Sequence, residues 1–84
     1  MSEQTVEIAD LVSLIIDPLL EFKDQREVIL HDEDEENILI EIRVHEEDVG
    51  KVIGRQGRVI KAIRTLSRAA GSSRGIQVDV ELID

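Results

Sequence analysis

The chain of 84 residues contains no cysteine, tryptophan or tyrosine, and it has a single phenylalanine, Phe22, and a single proline, Pro18. The absence of cysteine excludes disulfides, a thiolate nucleophile and a zinc ribbon. The scarcity of aromatic residues excludes binding sheets and barrels that stack successive bases on aromatic side chains. Apolar runs such as 14–16 and 38–40 are far too short to cross a bilayer. The composition instead predicts one small domain, residues 1–84, with an aliphatic core.

Charge is distributed unevenly along the chain. The net charge is −9, from ten lysines and arginines and nineteen aspartates and glutamates, which by itself argues against a nucleic-acid partner. Residues 1–50 carry sixteen acids and three bases, whereas residues 51–84 carry seven bases and three acids. All seven bases lie in 51–74, where there is no acid. Because salt screens charges beyond about 8 Å at physiological ionic strength, this basic segment can act locally on an acidic protein.

The first ten residues carry three acids and no base, which argues against a secretory signal peptide. We therefore expect a cytoplasmic domain that does not insert into a membrane.

Hydrophobic periodicity predicts an α+β domain with the element order α-β-β-α-α-β. Apolar residues at spacings of three and four predict a first helix over 5–20, kinked or ended near Asp17 by Pro18. The remaining predicted elements are strands over 27–31, 38–44 and 76–82 and helices over 46–53 and 58–70. Gly71 and the two serines after it are expected to end the last helix. We expect a three-stranded sheet with three helices on one face and water on the other.

The helix over 58–70 separates its charges from its apolar residues. Its bases lie within about a third of a turn of each other and are Arg58, Lys61, Arg64 and Arg68. On roughly the opposite side lies the predicted core stripe of Val59, Ile63, Leu66 and Ala70. A solubilising surface would explain the basic row, but a solvated helix usually mixes charges of both signs. Arg55 and Arg58 also oppose the dipole at the start of this helix, and a bound phosphate would relieve that conflict.

The loop from Gly54 to Gly57 connects this helix to the one before it. Two glycines leave a bare backbone against which a sugar–phosphate chain can lie. A tight helix–helix turn without any ligand explains the same two glycines, so the loop alone is a weak signal.

The segment from Gly50 to Ile63 resembles the V-I-G-x-x-G-x-x-I signature of the KH domain, a module that binds single-stranded RNA. The helix and strand that open the chain and the single C-terminal strand resemble the type II topology of that family. The size and the segment Asp17–Leu19 resemble the small bacterial single-KH proteins of the KhpA type. The resemblance covers residues 5–83 and implies a type II KH domain.

The resemblance also implies which residues bind RNA. A loop would clamp about four nucleotides by their backbone, flanking bases would contact phosphates, and apolar side chains would line a groove for the bases. In that order, the implied residues are Gly54, Arg55, Gln56 and Gly57; Lys51, Arg58 and Lys61; and Val52 and Ile53. Ile42 or Val44 would add to the groove, although a place in the core is the stronger interpretation for Val52 and Ile42.

The function implied by the resemblance is non-catalytic RNA binding, as an RNA chaperone or post-transcriptional regulator linked to cell elongation, cell shape and cell-wall and envelope homeostasis. The implied assembly is a homodimer, or a heterodimer with a larger KH-containing RNA-binding protein. The alternative is a KH-fold dimerisation module with little RNA binding of its own. No cofactor or metal is expected, since the acidic run 32–36 lacks the ligand spacing of a calcium loop. No nucleophile–base constellation indicates an enzyme.

Overall fold

The computed structural model describes residues 2–83 and folds them into three α-helices and one three-stranded sheet. In chain order the elements are α1 (Glu3–Ile16), β1 (Glu27–Asp32), β2 (Asn37–Arg43), α2 (Glu46–Ile53), α3 (Arg58–Ser72) and β3 (Gln77–Ile83). The strand order is β1-β2-β3, in which β1 is antiparallel and β3 is parallel to β2. The predicted α+β class and the order α-β-β-α-α-β are confirmed.

The core lies between one face of the sheet and the helices. Successive side chains of a strand point to opposite faces, so Ile38, Ile40 and Ile42 of β2 all point inward and are at most 1% exposed. Val78 and Val80 of β3 stand opposite the first two of these residues. The helices contribute the buried residues Ile8, Val12, Ile16, Val52, Ile60 and Ile63. The core is therefore entirely aliphatic.

The first helix begins before its predicted start at residue 5 and ends near Asp17, where Pro18 was expected to kink or end it. It begins at Glu3, because the Ser2 hydroxyl accepts the backbone N–H of Thr5 at 3.1 Å and caps the helix. It ends at Ile16, and Pro18 lies in a single 3₁₀ turn that follows. Because Pro18 has no backbone N–H to donate to the preceding turn, the α-helix ends before it.

The buried face of α3 matches the predicted stripe only in part. Ile63 is buried as predicted, and Val59 and Ala70 are partly buried against the core, whereas the side chain of Leu66 is 50% exposed. The other buried residues of the helix are Ile60, Ser67 and Gly71. A Cβ atom on Gly71 would lie 2.5 Å from the carbonyl oxygen of Ile76 and from Cγ2 of Val78. At Gly71 the helix thus packs so close to β3 that a larger residue does not fit there. Gly71 lies inside α3, which ends at Ser72 and not at residue 70 as predicted.

The strands match their predicted positions to within one residue at each end. The predicted loop of acidic residues connects β1 to β2 as residues 33–36 and is exposed. Its backbone turns around Asn37, whose carbonyl oxygen accepts the N–H groups of Glu33 and Asp34 at 3.1 and 3.3 Å. We call residues 33–36 the acidic hairpin.

Candidate nucleic-acid interface

The first helix of the site, α2, is fixed at its start by side chains. Nδ1 of His45 accepts the backbone N–H of Glu47 at 3.0 Å and caps the helix. The carboxylate of Asp48 has no exposed surface, and it accepts the backbone N–H groups of Glu21 and Phe22 at 3.1 and 2.9 Å. Burial acts to raise the pKa of Asp48, but these N–H groups and the ammonium of Lys51 hold the pKa below its ordinary value. An ionised Asp48 therefore ties α2 to the loop that follows α1.

The turn between α2 and α3 contains a run of unusual backbone conformations. Gly54 has φ 76° and ψ 172°, a region essentially restricted to glycine, and a Cβ there would lie 2.4 Å from Cγ2 of Val59. Gln56 and Gly57 follow with φ 57° and 74°, both left-handed. In residues 2–83, Gln56 is the only residue other than glycine with a positive φ. The chain thus reverses within one 3₁₀ turn, Arg55–Gly57, and leaves its backbone uncovered.

The start of α3 concentrates positive charge without neutralising it. This 15-residue helix has no side-chain cap and no acid in its first turn, so no side chain neutralises the positive end of its dipole. The backbone N–H groups of Gly57 and Arg58 donate to the carbonyl oxygens of Gly54 and Arg55 within the 3₁₀ turn. Arg55, Arg58 and Lys61 are exposed around this end. The guanidinium of Arg58 donates to Oε1 of Gln56 at 3.1 Å. Across the described chain, no carboxylate pairs with any of these three bases.

The predicted site residues on α2 occupy three different environments. Lys51 is 46% exposed, but its Nζ lies 3.3 Å from Asp48 Oδ1 and 3.6 Å from Glu21 Oε2, so acids of the protein already neutralise it. Val52 has no exposed surface and packs in the core, as does Ile42. Ile53 is 39% exposed beside the turn, so of the two predicted apolar residues only Ile53 offers a side-chain surface to a ligand.

One feature beside α3 could not be found from the sequence. A cavity of about 440 Å³ lies between the C-terminal half of α3 and the outer edge of β3, and its lining residues are Arg68, Ser72, Gly75, Ile76, Gln77, Val78 and Asp79. Nε of Arg64 donates to the carbonyl oxygen of Val80 at 3.2 Å, so the backbone carbonyl of Val80 faces away from β2. Because strand residues alternate in direction, the N–H and C=O of Val78 face the same side and line this cavity. That β3 is an edge strand follows from the strand order of the sheet, which the sequence alone does not give.

The described residues contain no group of three or more histidine, aspartate or glutamate side chains arranged to hold a metal ion. Within the same part of the chain, no helix has the length and apolarity needed to span a bilayer.

Comparison with known proteins gives one consistent result. A model of the KhpA/KhpB KH domain matches residues 9–82. The RNA-binding protein KhpA of Bacillus subtilis (strain 168) is 42% identical over 84 residues, which is 100% of both chains. The RNA-binding protein KhpA of Aquifex aeolicus (strain VF5) is 38% identical over 77 residues, covering 92% of this chain and 96% of its own. No solved structure matches the chain significantly.

Proposed function

The chain belongs to the KhpA/KhpB KH-domain family, and on that basis we propose that it binds single-stranded RNA without catalysing a reaction. The observation that carries this proposal is the unneutralised positive charge at the start of α3, beside a turn with an uncovered backbone. The positive end of the helix dipole, Arg55 and Arg58 all favour an anion at this point. A phosphate of an RNA strand satisfies all of these groups together.

The proposed contacts follow the geometry of the turn. Gly54, Arg55, Gln56 and Gly57 hold the sugar–phosphate backbone, and Arg58 and Lys61 contact the neighbouring phosphates. Ile53 supplies an apolar surface beside them, while Val52 supports the turn from within the core. Lys51 reaches a phosphate only by leaving Asp48 and Glu21, so we expect its contribution to be the smallest of the bases.

We propose that the bases of the bound strand lie toward the outer edge of β3. The side chains of α3 that point to this edge are basic, and the N–H and C=O of Val78 provide one donor and one acceptor. Such a pair can hydrogen-bond a base edge without any aromatic side chain, which agrees with the composition of the chain.

A charge-reversed loop tests the proposal. The change Arg55→Asp with Gln56→Asp places two carboxylates in the turn, and aspartate tolerates the left-handed conformation of residue 56. Because phosphate contacts dominate affinity for nucleic acid, we expect at least tenfold weaker binding of a single-stranded RNA in a gel shift at physiological salt. The matched control is Lys23→Asp with Gln25→Asp, which makes the same charge change in an exposed turn after α1.

The control variant should retain its affinity for RNA within about twofold. Equal binding by the loop variant and the parent protein would show that the turn is not the site. An equal loss in both variants would show that only the total charge matters.

The finer role that we propose is that of an RNA chaperone or post-transcriptional regulator in the cytoplasm, linked to cell elongation and envelope homeostasis. One such domain offers few phosphate contacts, so its affinity should be modest, and it should fall as the salt concentration rises. A homodimer, or a heterodimer with a larger KH-containing RNA-binding protein, would raise the affinity by joining two sites.

The alternative function, a dimerisation module with little RNA binding, is favoured by a different observation. Leu14 of α1 and Leu66 of α3 are 72% and 50% exposed, and these two helices pack side by side. Sedimentation of the parent and of Leu66→Asn, each with and without RNA, separates the two functions. The alternative would be favoured if the parent protein is a dimer, binds no RNA even at low salt, and becomes a monomer in the Leu66→Asn variant.

A further inference from the structure

The sheet has a second face, which the proposed RNA site touches only at Asp79 on the edge of β3. We call it the open sheet face: it is the side of the three strands turned away from the helices, centred on Leu39, Glu41, Asp79 and Glu81. The strand residues on the opposite side are buried under the helices, so no helix covers this face.

The centre of the open sheet face contains two carboxylates in opposed positions. Glu41 of β2 is the register partner of Glu81 of β3, and like charges directly opposite each other destabilise a sheet. His31 of β1 contacts Glu41, with Nε2 2.5 Å from Oε1. Among the described residues, no base forms an ion pair with Glu81. The folded protein therefore keeps a repulsion that a cation from outside would remove.

Apolar side chains lie between the charges of this face. Ile29 stands opposite Glu41, and Leu39 stands between His31 and Asp79, and both apolar residues are only half-buried. Arg43 is the one strand residue on this face that carries a fixed positive charge. The acidic hairpin continues the negative charge beyond one end of the strands.

We propose that the open sheet face docks a cationic, amphipathic segment of another protein. Lysine or arginine side chains of that segment pair with Glu41, Asp79 and Glu81, and its apolar side chains rest on Ile29 and Leu39. Complementary charge of this kind steers association and fixes orientation. RNA carries the same sign as this face, and a second copy of the chain presents the same carboxylates, so both are repelled.

The docking site and the phosphate-binding turn are on different sides of the molecule, and the docking site meets the proposed path of the bases only at Asp79, on the edge of β3. The turn from Gly54 to Gly57 belongs to the helical layer, whereas the open sheet face is the outer surface of the sheet. Both ligands should therefore bind at the same time, and the docking proposal does not depend on the RNA proposal.

The test uses the full chain labelled with ¹⁵N and a synthetic amphipathic helix of lysine and leucine as the probe, at about 150 mM salt. Amide shifts should change at Leu39, Glu41, Asp79 and Glu81. The double variant Asp79→Lys with Glu81→Lys should bind the probe at least tenfold more weakly. The matched control, Glu3→Lys with Asp10→Lys on the exposed side of α1, makes the same charge change and should lose less than twofold.

Four results would overturn the proposal. Equal losses in the two double variants would show that net charge alone attracts the probe. Equal affinity for an all-lysine peptide of the same charge would show that the apolar side chains of the probe do not contribute to binding. Shifts at these residues on raising the protein concentration without the probe would identify a second copy as the occupant. Displacement of the probe by single-stranded RNA would show that the two sites overlap.

Discussion

Gly54 is the residue on which the turn between α2 and α3 depends. Its φ and ψ lie in a region that other residues avoid, and the space for a Cβ is taken by Val59. We expect Gly54→Ala to lower the free energy of unfolding by about 3 kcal/mol or more, measured by urea denaturation.

Gly50 provides the control for this substitution. It lies inside α2, where a Cβ would meet nothing within 4 Å. Gly50→Ala should therefore raise the stability by about 0.5–1 kcal/mol, because alanine favours the helix. A Gly54→Ala protein as stable as the parent would mean that the turn adopts another conformation.

Asp48 makes the stability of the protein depend on pH. The pKa of its carboxyl is lowered in the folded protein, so the stabilisation is present above the ordinary pKa of 3.8 and is lost as the pH falls through the lower, folded value. Asp48→Asn leaves the N–H groups of Glu21 and Phe22 with a weaker, uncharged acceptor, and it should reduce stability at pH 7.

Urea denaturation at several pH values measures this effect. The difference between parent and Asp48→Asn should be largest at neutral pH and should shrink below about pH 4. A difference that stays constant down to pH 2 would show that the charge of Asp48 is not what stabilises the loop after α1.

Among the elements, α3 and β3 pack closely together at Gly71. Gly71→Ala places a Cβ against Ile76 and Val78, and we expect a loss of about 2 kcal/mol even though alanine favours a helix. Ser67→Ala, one turn earlier, should be neutral or stabilising, because the buried Ser67 hydroxyl has no hydrogen-bond partner in the described chain. Thermal unfolding of both variants compares the two positions, and similar losses would contradict a contact specific to Gly71.

The packing of α3 against β3 is also the reason why some features of α3 could be predicted from the sequence and others could not. Its existence, start and basic row follow from local periodicity and glycine positions. Its buried face follows only in part: Ile63 is buried as predicted, but Ser67 and Gly71 are buried and Leu66 is exposed, although Leu66 is the more hydrophobic residue. The distance between α3 and β3 decided the outcome, and that distance depends on residues far apart in the sequence.

The candidate site also has features that could be predicted from the sequence and features that could not. Gly54, Gly57 and the exposed bases could be predicted, since each follows from the local backbone or from charge. The pairing of Lys51 with Asp48 and Glu21, and the cavity at the edge of β3, could not, because both depend on how separate elements pack.

At the scale of the whole molecule, the two charged regions lie at opposite ends of α3. The basic turn precedes the helix, and the acidic hairpin lies beside the start of β3, where the N–H of Gln77 donates to the carbonyl oxygen of Glu36 at 2.6 Å. The 15 residues of α3 separate the two ends by about 22 Å. The net charge of −9 therefore describes neither end.

This separation makes the influence of the acidic hairpin on the phosphates bound at the basic turn depend on salt. At physiological ionic strength the screening length is about 8 Å, much less than the separation, whereas at about 10 mM salt it is about 30 Å. Replacement of Glu33, Glu35 and Glu36 by glutamine should therefore change RNA affinity less than about twofold at 150 mM salt and raise it several-fold at 10 mM. Fluorescence anisotropy with one RNA at both salts measures this. An equal gain at both salt concentrations would mean that the RNA contacts the hairpin directly, because salt does not screen charges that are in contact.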